Sequence, residues 1–216
     1  IEVEVLNQAQ LVAERLSELE TIYDISQASA SRLKLNALLE FVGGKILQTF
    51  KVQGVYIALY DKQENVFRIP YWQVFDERLN RAPVPLGQGL SGIIFRTKQP
   101  LVINNNYEQR SAELGVVRVA NSRGSIPKAW VGVPIVVGDE VIGILSAQNY
   151  HNENVFTDDT VQLLTTIAAN FGIAFQNAKL YEAVQQRASE LQNLHQEAEE
   201  RVKELASINA ISQTAA

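Results

Sequence analysis

The chain has 216 residues, no cysteine, 46% hydrophobic and 20% charged residues, and a formal net charge of -5. This length allows one well-buried core plus further elements. The missing cysteines exclude disulfides, cysteine–zinc sites and thioether-linked cofactors, and the acidic balance argues against a nucleic-acid-binding face. The longest apolar run is about eight residues against the ~20 of a membrane helix, and no signal peptide is visible. With Ile1 first and no Met, the chain reads as a piece of a longer cytoplasmic protein that makes no membrane contact.

Residues 1–31 read as an entry helix. Val5, Val12 and Leu19 recur at heptad spacing, and Gln8 and Arg15 interrupt the partner row begun by Ile1 and continued at Ile22, which makes a polar, weak coiled-coil seam. A second helical stripe follows in Leu35, Leu38, Leu39, Val42, Ile46 and Phe50. Its Gly43–Gly44 pair suggests close packing against a neighbour. Strands are predicted at 53–60 and 66–75 around a turn at 61–65, the second carrying Phe67, Tyr71, Trp72 and Phe75. Arg81–Leu86 is a poor strand because of Pro83 and Pro85. The turn Gly87-Gln88-Gly89-Leu90-Ser91-Gly92 opens a short helix ending at Thr97, and Leu101–Asn104 is a short strand. Residues 105–128 have no period and read as a long loop of the kind that often carries function.

The organising stretch is Trp130–Gln148, two runs rich in Val and Ile flanking Gly138-Asp139-Glu140, a hairpin. Val131, Val133, Ile135 and Val137 are expected on one face with Trp130 and Val136 on the other; Val141 and Leu145 are expected to oppose Ile142 and Ile144. Strands apolar on both faces belong in the middle of a sheet covered on both sides. Pro134 suggests an edge or a bulge. Gly132 and Gly143 suggest room for a backbone or ligand above the sheet.

A long exit helix then begins at Thr157, a candidate N-cap, with Asp158 and Asp159 in its first turn and a Phe156/Val161 staple. Val161, Leu164, Ala168, Phe171, Phe175 and Ala178 form a sheet-facing stripe. Beside it, Leu163, Asn170, Asn177, Val184, Leu191, Ala198, Leu205 and Ser212 recur every seven residues, with Ile173, Leu180, Arg187, Leu194, Arg201 and Ile208 as the partner row. This predicts a parallel coiled coil over 183–216 and a homodimer seamed by Val12, Leu19, Asn170, Ile173, Asn177, Leu180, Val184, Leu191 and Leu194, the Asn residues fixing register. Residues 199–216 also repeat residues 13–30: Glu14, Arg15, Glu18, Leu19, Ile22, Ile25, Ser26, Gln27 and Ala30 all recur at one constant offset. The exit helix therefore reads as the lead-in to a second, similar domain.

In this order the motifs Gly87–Gly92, Pro100-Leu101-Val102-Ile103, Val131-Gly132-Val133-Pro134-Ile135, Val141-Ile142-Gly143-Ile144-Leu145 and Phe156-Thr157-Asp158-Asp159 resemble a GAF domain over roughly 33–182. The exit sequence Phe175-Gln176-Asn177-Ala178-Lys179-Leu180-Tyr181-Glu182 resembles the helix leading from GAF domains into bacterial histidine kinases. The resemblance implies an α+β fold, with a GAF-like central antiparallel sheet of about six strands at 32–182. Dimer-bearing helices lie on one face and a small-molecule pocket under loops and a short helix on the other. Long helices at 1–31 and 183–216 flank it. Phytochrome-type members hold a bilin through a Cys, which this chain lacks; of the Asn-Lys…Phe…Asp-Glu signature of cyclic-nucleotide-binding members, Phe156 is present without an Asn-Lys pair before it.

Candidate ligand-binding residues are Tyr56, Phe67, Tyr71, Trp72, Ile93, Asn104, Asn105, Tyr107, Arg118, Arg123, Trp130, Ser146 and Gln148. The aromatics suit a planar ligand and the arginines an acidic one. The two histidines, His151 and His195, stand apart and form no metal or catalytic constellation, so no metal and no enzymatic activity are expected of this stretch; the cofactor stays open, a covalent bilin alone being excluded by the missing Cys. The expected function is a sensory GAF domain of a multidomain signalling protein, most simply a sensor histidine kinase. The alternatives are a ligand-free dimerisation spacer and a cyclic-nucleotide-binding GAF domain that regulates a cyclase or phosphodiesterase.

Overall fold

The computed structural model describes residues 31–116 and 126–214. The entry helix with its seam residues Val12 and Leu19, and the first copy of the repeat, lie outside the described residues. Helix α1 (Ser31–Phe50) leads into strands β1 (Gly54–Asp61), β2 (Val66–Val74), β3 (Glu77–Arg78) and β4 (Val84–Pro85). Helix α2 (Gly89–Thr97), β5 (Leu101–Ile103) and helix α3 (Tyr107–Glu113) come next, then the hairpin β6 (Ala129–Val137) and β7 (Glu140–Asn149), and finally α4 (Asp158–Thr214). The antiparallel sheet runs β3-β2-β1-β7-β6-β5, with β4 added to β2. The chain resolves into two units, 1–176 and 177–216, and every strand belongs to the first.

The hairpin is central, as its composition demands. β7 lies between β1 and β6, and Val131, Val133, Ile135, Ile144, Leu145 and Ala147 are wholly buried. The turn holds only Gly138 and Asp139 between the paired Val137 and Glu140. Gly138 alone has positive φ (60°), the pattern of a type II′ turn. Pro134 costs no ladder bond on its outer side, because β5 pairs only with Trp130–Gly132 and leaves the rest of β6 as an edge.

Two bulges decide which face each side chain takes. In β7, Ile135 pairs with Gly143 and Val136 with Val141, so Ile142 has no opposite number. This overturns the expected alternation: Val141 joins Ile144 on one face, and Ile142 joins Leu145 on the other. In β2, Ile69 and Pro70 together stand opposite Ala58, between the pairs Ile57–Tyr71 and Leu59–Arg68.

One face carries α1 and the start of α4. Leu38, Leu39, Val42 and Ile46 meet Leu164, Ala168, Phe171 and Phe175 over Val55, Ile57, Val131 and Val133. The start of α4 is capped as expected, Thr157 Oγ1 accepting from the Thr160 N–H at 3.3 Å. Of the glycine pair in α1, Gly43 is the tight one. A Cβ there would run into the Tyr71 ring, whereas one on Gly44 would meet nothing within 4 Å. Arg78 lies 3.7 Å from the centre of the same ring and pairs with Glu40 of α1, so Tyr71 is a hinge pin between helix and sheet.

The other face carries α2, packed through Leu90 and Ile94 against Ala58, Phe67, Trp130 and Ile144. The space anticipated over Gly132 and Gly143 is filled from within the protein: by the Trp130 ring and Ile94 over the first, and by the Ala58 carbonyl and Leu59 over the second. The stretch read as a loop at 105–128 contains α3. Its two turns are too short for a period to show.

These contacts predict opposite outcomes for adjacent residues. Gly43→Ala should lose about 1–3 kcal/mol by forcing Tyr71 aside, and Gly44→Ala should gain about 0.5–1 kcal/mol of helix propensity. Urea unfolding midpoints at constant m-value read both.

Candidate functional site

On the face opposite α1, the sheet, α2 and α3 enclose a cavity of about 720 Å³. That lies within the roughly 300–1,000 Å³ typical of small-molecule sites. Its floor is the cavity side of β1, β2, β6 and β7, and directly paired residues of antiparallel strands share a face. Tyr56 pairs with Trp72 on one side and Ser146 on the other, and Gln148 pairs with Trp130. Tyr56, Phe67, Trp72, Trp130 and Gln148 line the cavity, with Ile69, Val84 and Leu90 adding apolar surface.

The rim begins at the glycine turn. Gly87 (φ 108°) and Gly89 (φ 72°) adopt conformations that side chains disfavour, and a Cβ on Gly92 would sit 3.0 Å from the Gly87 backbone. The turn thus folds back on α2 and brings Gln88 and Ser91 to the cavity. Lys98 in the left-handed region closes α2, its N–H bonding to the Ile94 carbonyl. Across from it, α3 contributes Tyr107, Glu108 and Ser111, and Arg81 reaches in from the segment between β3 and β4.

The phenols are shielded. The Tyr56 hydroxyl shares a 3.0 Å hydrogen bond with Ser91 Oγ. Burial pushes Tyr56 above its ordinary value, against the opposing effect of Ser91 and Ser146. Burial likewise pushes Tyr107 up to about 12, helped by the neighbouring Tyr56. Both therefore present neutral hydroxyl groups at physiological pH. Tyr150 donates to Gln148 Oε1 at 2.6 Å and fixes that amide. Ser146 Oγ and Trp72 Nε1 are buried and neither meets hydrogen-bond geometry with a protein partner, although Ser146 lies near enough to the Tyr56 hydroxyl to oppose its upward shift.

Of the residues expected here from sequence, Tyr56, Phe67, Trp72, Tyr107, Trp130 and Gln148 come together around the cavity, and Ser146 lies in the same row on the same face. Tyr71 does not: the bulge at Ile69–Pro70 turns it to the helix side. Ile93 packs in the α2 cluster without lining the cavity. Asn104 and Asn105 serve as braces. Asn104 donates to the Phe156 carbonyl (2.7 Å) and accepts from the Phe156 N–H (3.0 Å), and Asn105 donates to Asn154 Oδ1. Arg118 and Arg123 lie outside the described residues. Arg81, Ser91, Glu108 and Tyr150 were missed, since isolated polar residues in irregular segments or helices of two turns carry no periodic signal.

A sequence model of the GAF domain matches residues 33–176. The chain belongs to the GAF domain family. The nitrogen fixation protein AnfA of Azotobacter vinelandii is 30% identical over 156 residues, covering 71% of this chain and 29% of AnfA. The circadian input-output histidine kinase CikA of Thermosynechococcus vestitus is 21% identical over 192 residues, covering 83% of this chain and 26% of CikA. Among solved structures, the GAF domain of an Acinetobacter phosphoenolpyruvate-protein phosphotransferase superposes with a TM-score of 0.63 at 18% identity, covering 81% of this chain and 94% of that one. This GAF domain thus corresponds to less than a third of either full-length relative. No described helix is long and apolar enough to cross a membrane.

Two measurements test the geometry. Asn104→Ala removes both bonds to Phe156 and should cost about 1–3 kcal/mol of stability while leaving ligand affinity unchanged. Because Tyr107 ionises harder folded than unfolded, its stabilising effect is whole below pH 10 and is lost as pH rises through its folded value of about 12. Melting temperature should fall over that window, and less steeply in Tyr107→Phe.

Proposed function

We propose that this GAF domain is the sensing module of a cytoplasmic, multidomain signalling protein, and that a small molecule held over the sheet biases the helices on the opposite face. The observation that carries this reading is the cavity, with its apolar floor and few inward-facing polar groups. Family membership supplies the regulatory role, and catalysis is assigned to other domains. The proposed division is an entry helix at 1–31, the sensory domain at 32–182 and a coiled-coil linker at 183–216.

The relay we infer is a parallel homodimer through α4. Ile173, Leu180, Val184, Leu191 and Leu194 are all more than half exposed in the single chain, at 52, 57, 63, 67 and 61%. Apolar residues recurring at this spacing along one helix suit a partner helix. Asn170 and Asn177, in the same row as Val184 and Leu191, would fix register. Ligand binding changes output only if the cavity and the helix pair each favour one of two packings.

Two output classes have support. Similarity to CikA over most of the chain, together with the Phe175–Glu182 exit sequence, favours a histidine kinase. Similarity to the formate hydrogenlyase transcriptional activator of Salmonella typhimurium, 26% identical over 163 residues, favours a transcriptional activator.

Because the chain contains no cysteine, single cysteines at 184, 191 and 194 give clean cross-linking. Efficient disulfides between like positions, dimer mass in sedimentation and a ligand-dependent change in cross-link pattern are expected. A monomer at high concentration overturns the dimer. A pattern unmoved by any compound that raises the melting temperature overturns the relay and leaves a dimerisation spacer.

A further inference from the structure

Residues 77–81 straddle the β2 edge of the sheet. β3 is the outermost strand and is only two residues long, Arg78 pairing with Gln73 and Glu77 with Val74. Directly paired strand residues share a face, so Arg78 stands on the helix side with Gln73 and Tyr71. There its guanidinium lies 3.7 Å from the centre of the Tyr71 ring and pairs with Glu40 of α1. Farther along the same segment, Arg81 lines the cavity, its guanidinium 5.9 Å from the centre of the Trp72 ring. One short segment thus sets a cation on each of two consecutive rings of β2, one on either face of the sheet.

The two seats are unequal. A cation is attracted to a ring within about 6 Å of its centre, so Arg78 is seated and Arg81 is at the limit. Neither seat is strong: the Arg78 and Glu40 side chains are 41 and 62% exposed, and ion pairs so exposed hold weakly. The turn before them is anchored. Phe75 takes a positive φ (53°), which bulky side chains disfavour, while its ring packs on Tyr150 and His151 and its carbonyl accepts from Gln73. Between the two arginines, the Leu79 N–H donates to the Trp72 carbonyl at 2.9 Å. A segment with a fixed end, a pivot and a weak seat on each side rocks: moving Arg81 onto Trp72 lifts Arg78 from Tyr71 and Glu40.

Accepting the cavity as the ligand site, we propose that residues 77–81 are a two-position clip between the cavity rim and α1. In this structure the clip is seated on the helix side and holds α1 to the sheet edge. A molecule whose contacts draw Arg81 inward releases α1, and one that fills the space over Trp72 keeps it held.

Acrylamide quenching of tryptophan emission reads the clip in the whole chain without any ligand. Trp130 is buried, at 1% exposure, so the quencher reports Trp72, which is half-buried. Glu40→Arg lies on the opposite face and repels Arg78; it should bring Arg81 over Trp72 and lower the quenching constant about twofold. Glu40→Gln should lower it less. Adding Arg81→Gln should erase either difference. Coupling between two sites is reciprocal, so Arg81→Gln should also slow amide hydrogen exchange of α1 in the Glu40→Gln protein. Glu40 and Arg81 are both exposed, and circular dichroism checks that each variant folds. A quenching constant unchanged or raised by Glu40→Arg, a fall that survives Arg81→Gln, or α1 exchange indifferent to Arg81→Gln overturns the clip and leaves Arg78 and Glu40 a local ion pair. The reading of the cavity as a ligand site stands or falls separately, because no ligand enters these measurements.

Discussion

The constraint on which this domain depends is the pleat of a sheet buried on both sides. In β1, β6 and β7, neighbouring residues go to opposite faces, and nearly every one goes to a protein environment. A one-residue slip would exchange the cavity floor with the helix-packing surface. The bulges at Ile69–Pro70 and Ile142 are the two places where the chain makes such a slip deliberately. The first lets Phe67 and Trp72 face the cavity while Tyr71, between them in sequence, faces α1. Without it, Tyr71 would leave Gly43 facing empty space, and Trp72 would leave the polar row.

The two faces are built from different materials for a reason. The helix side is almost entirely Val, Ile, Leu, Ala and Phe, and its packing is close enough that α1 needs a glycine where Tyr71 arrives. Such a surface fixes the helices to the sheet. The cavity side admits Ser146 and Gln148 at buried positions and Tyr56 and Trp72 at half-buried ones. Burying hydroxyl, amide and indole groups lowers stability unless each is hydrogen-bonded. The satisfied members, Tyr56 with Ser91 and Gln148 with Tyr150, hold the floor in place.

Much of this was legible in the residues. β-branched runs around Gly138, the glycine turn at 87–92 and the capped start of α4 each have a local physical cause, and each stands where it was expected. The failures share another cause, since they depend on partners distant in sequence. Nothing local distinguishes Tyr71 from Trp72. Only the register with β1 separates them, and Pro70 within the strand was the available hint. Asn104 looked like a turn residue or a ligand contact, yet its role is set by Phe156, 52 positions away. Ile142 looked like ordinary alternation because a bulge leaves no mark in composition. Arg81, at the head of a weak strand broken by Pro83 and Pro85, gave no sign that it would meet Trp72.

The same pleat bears on how a bound molecule would reach the helices. Tyr56 and Ile57 are adjacent in β1, one on the cavity and the other beneath α1 and α4; Ser146 stands between Leu145 and Ala147 in β7 in the same way. The distance between the two functions is one sheet thickness, with no intervening chain of residues to posit. A tightly packed helix face does not deform continuously, so a shift of a strand by a fraction of an ångström is either absorbed by the sheet or resolved by moving the helices as bodies. Gly43 against Tyr71 is where that choice is narrowest, because there the gap between α1 and β2 is already closed. A domain built this way transmits what its floor feels only if the helices have a second packing of nearly equal energy. In the proposed dimer, Asn170 and Asn177 of α4 would keep the helix pair below maximal stability, and such a second packing would thereby stay within reach.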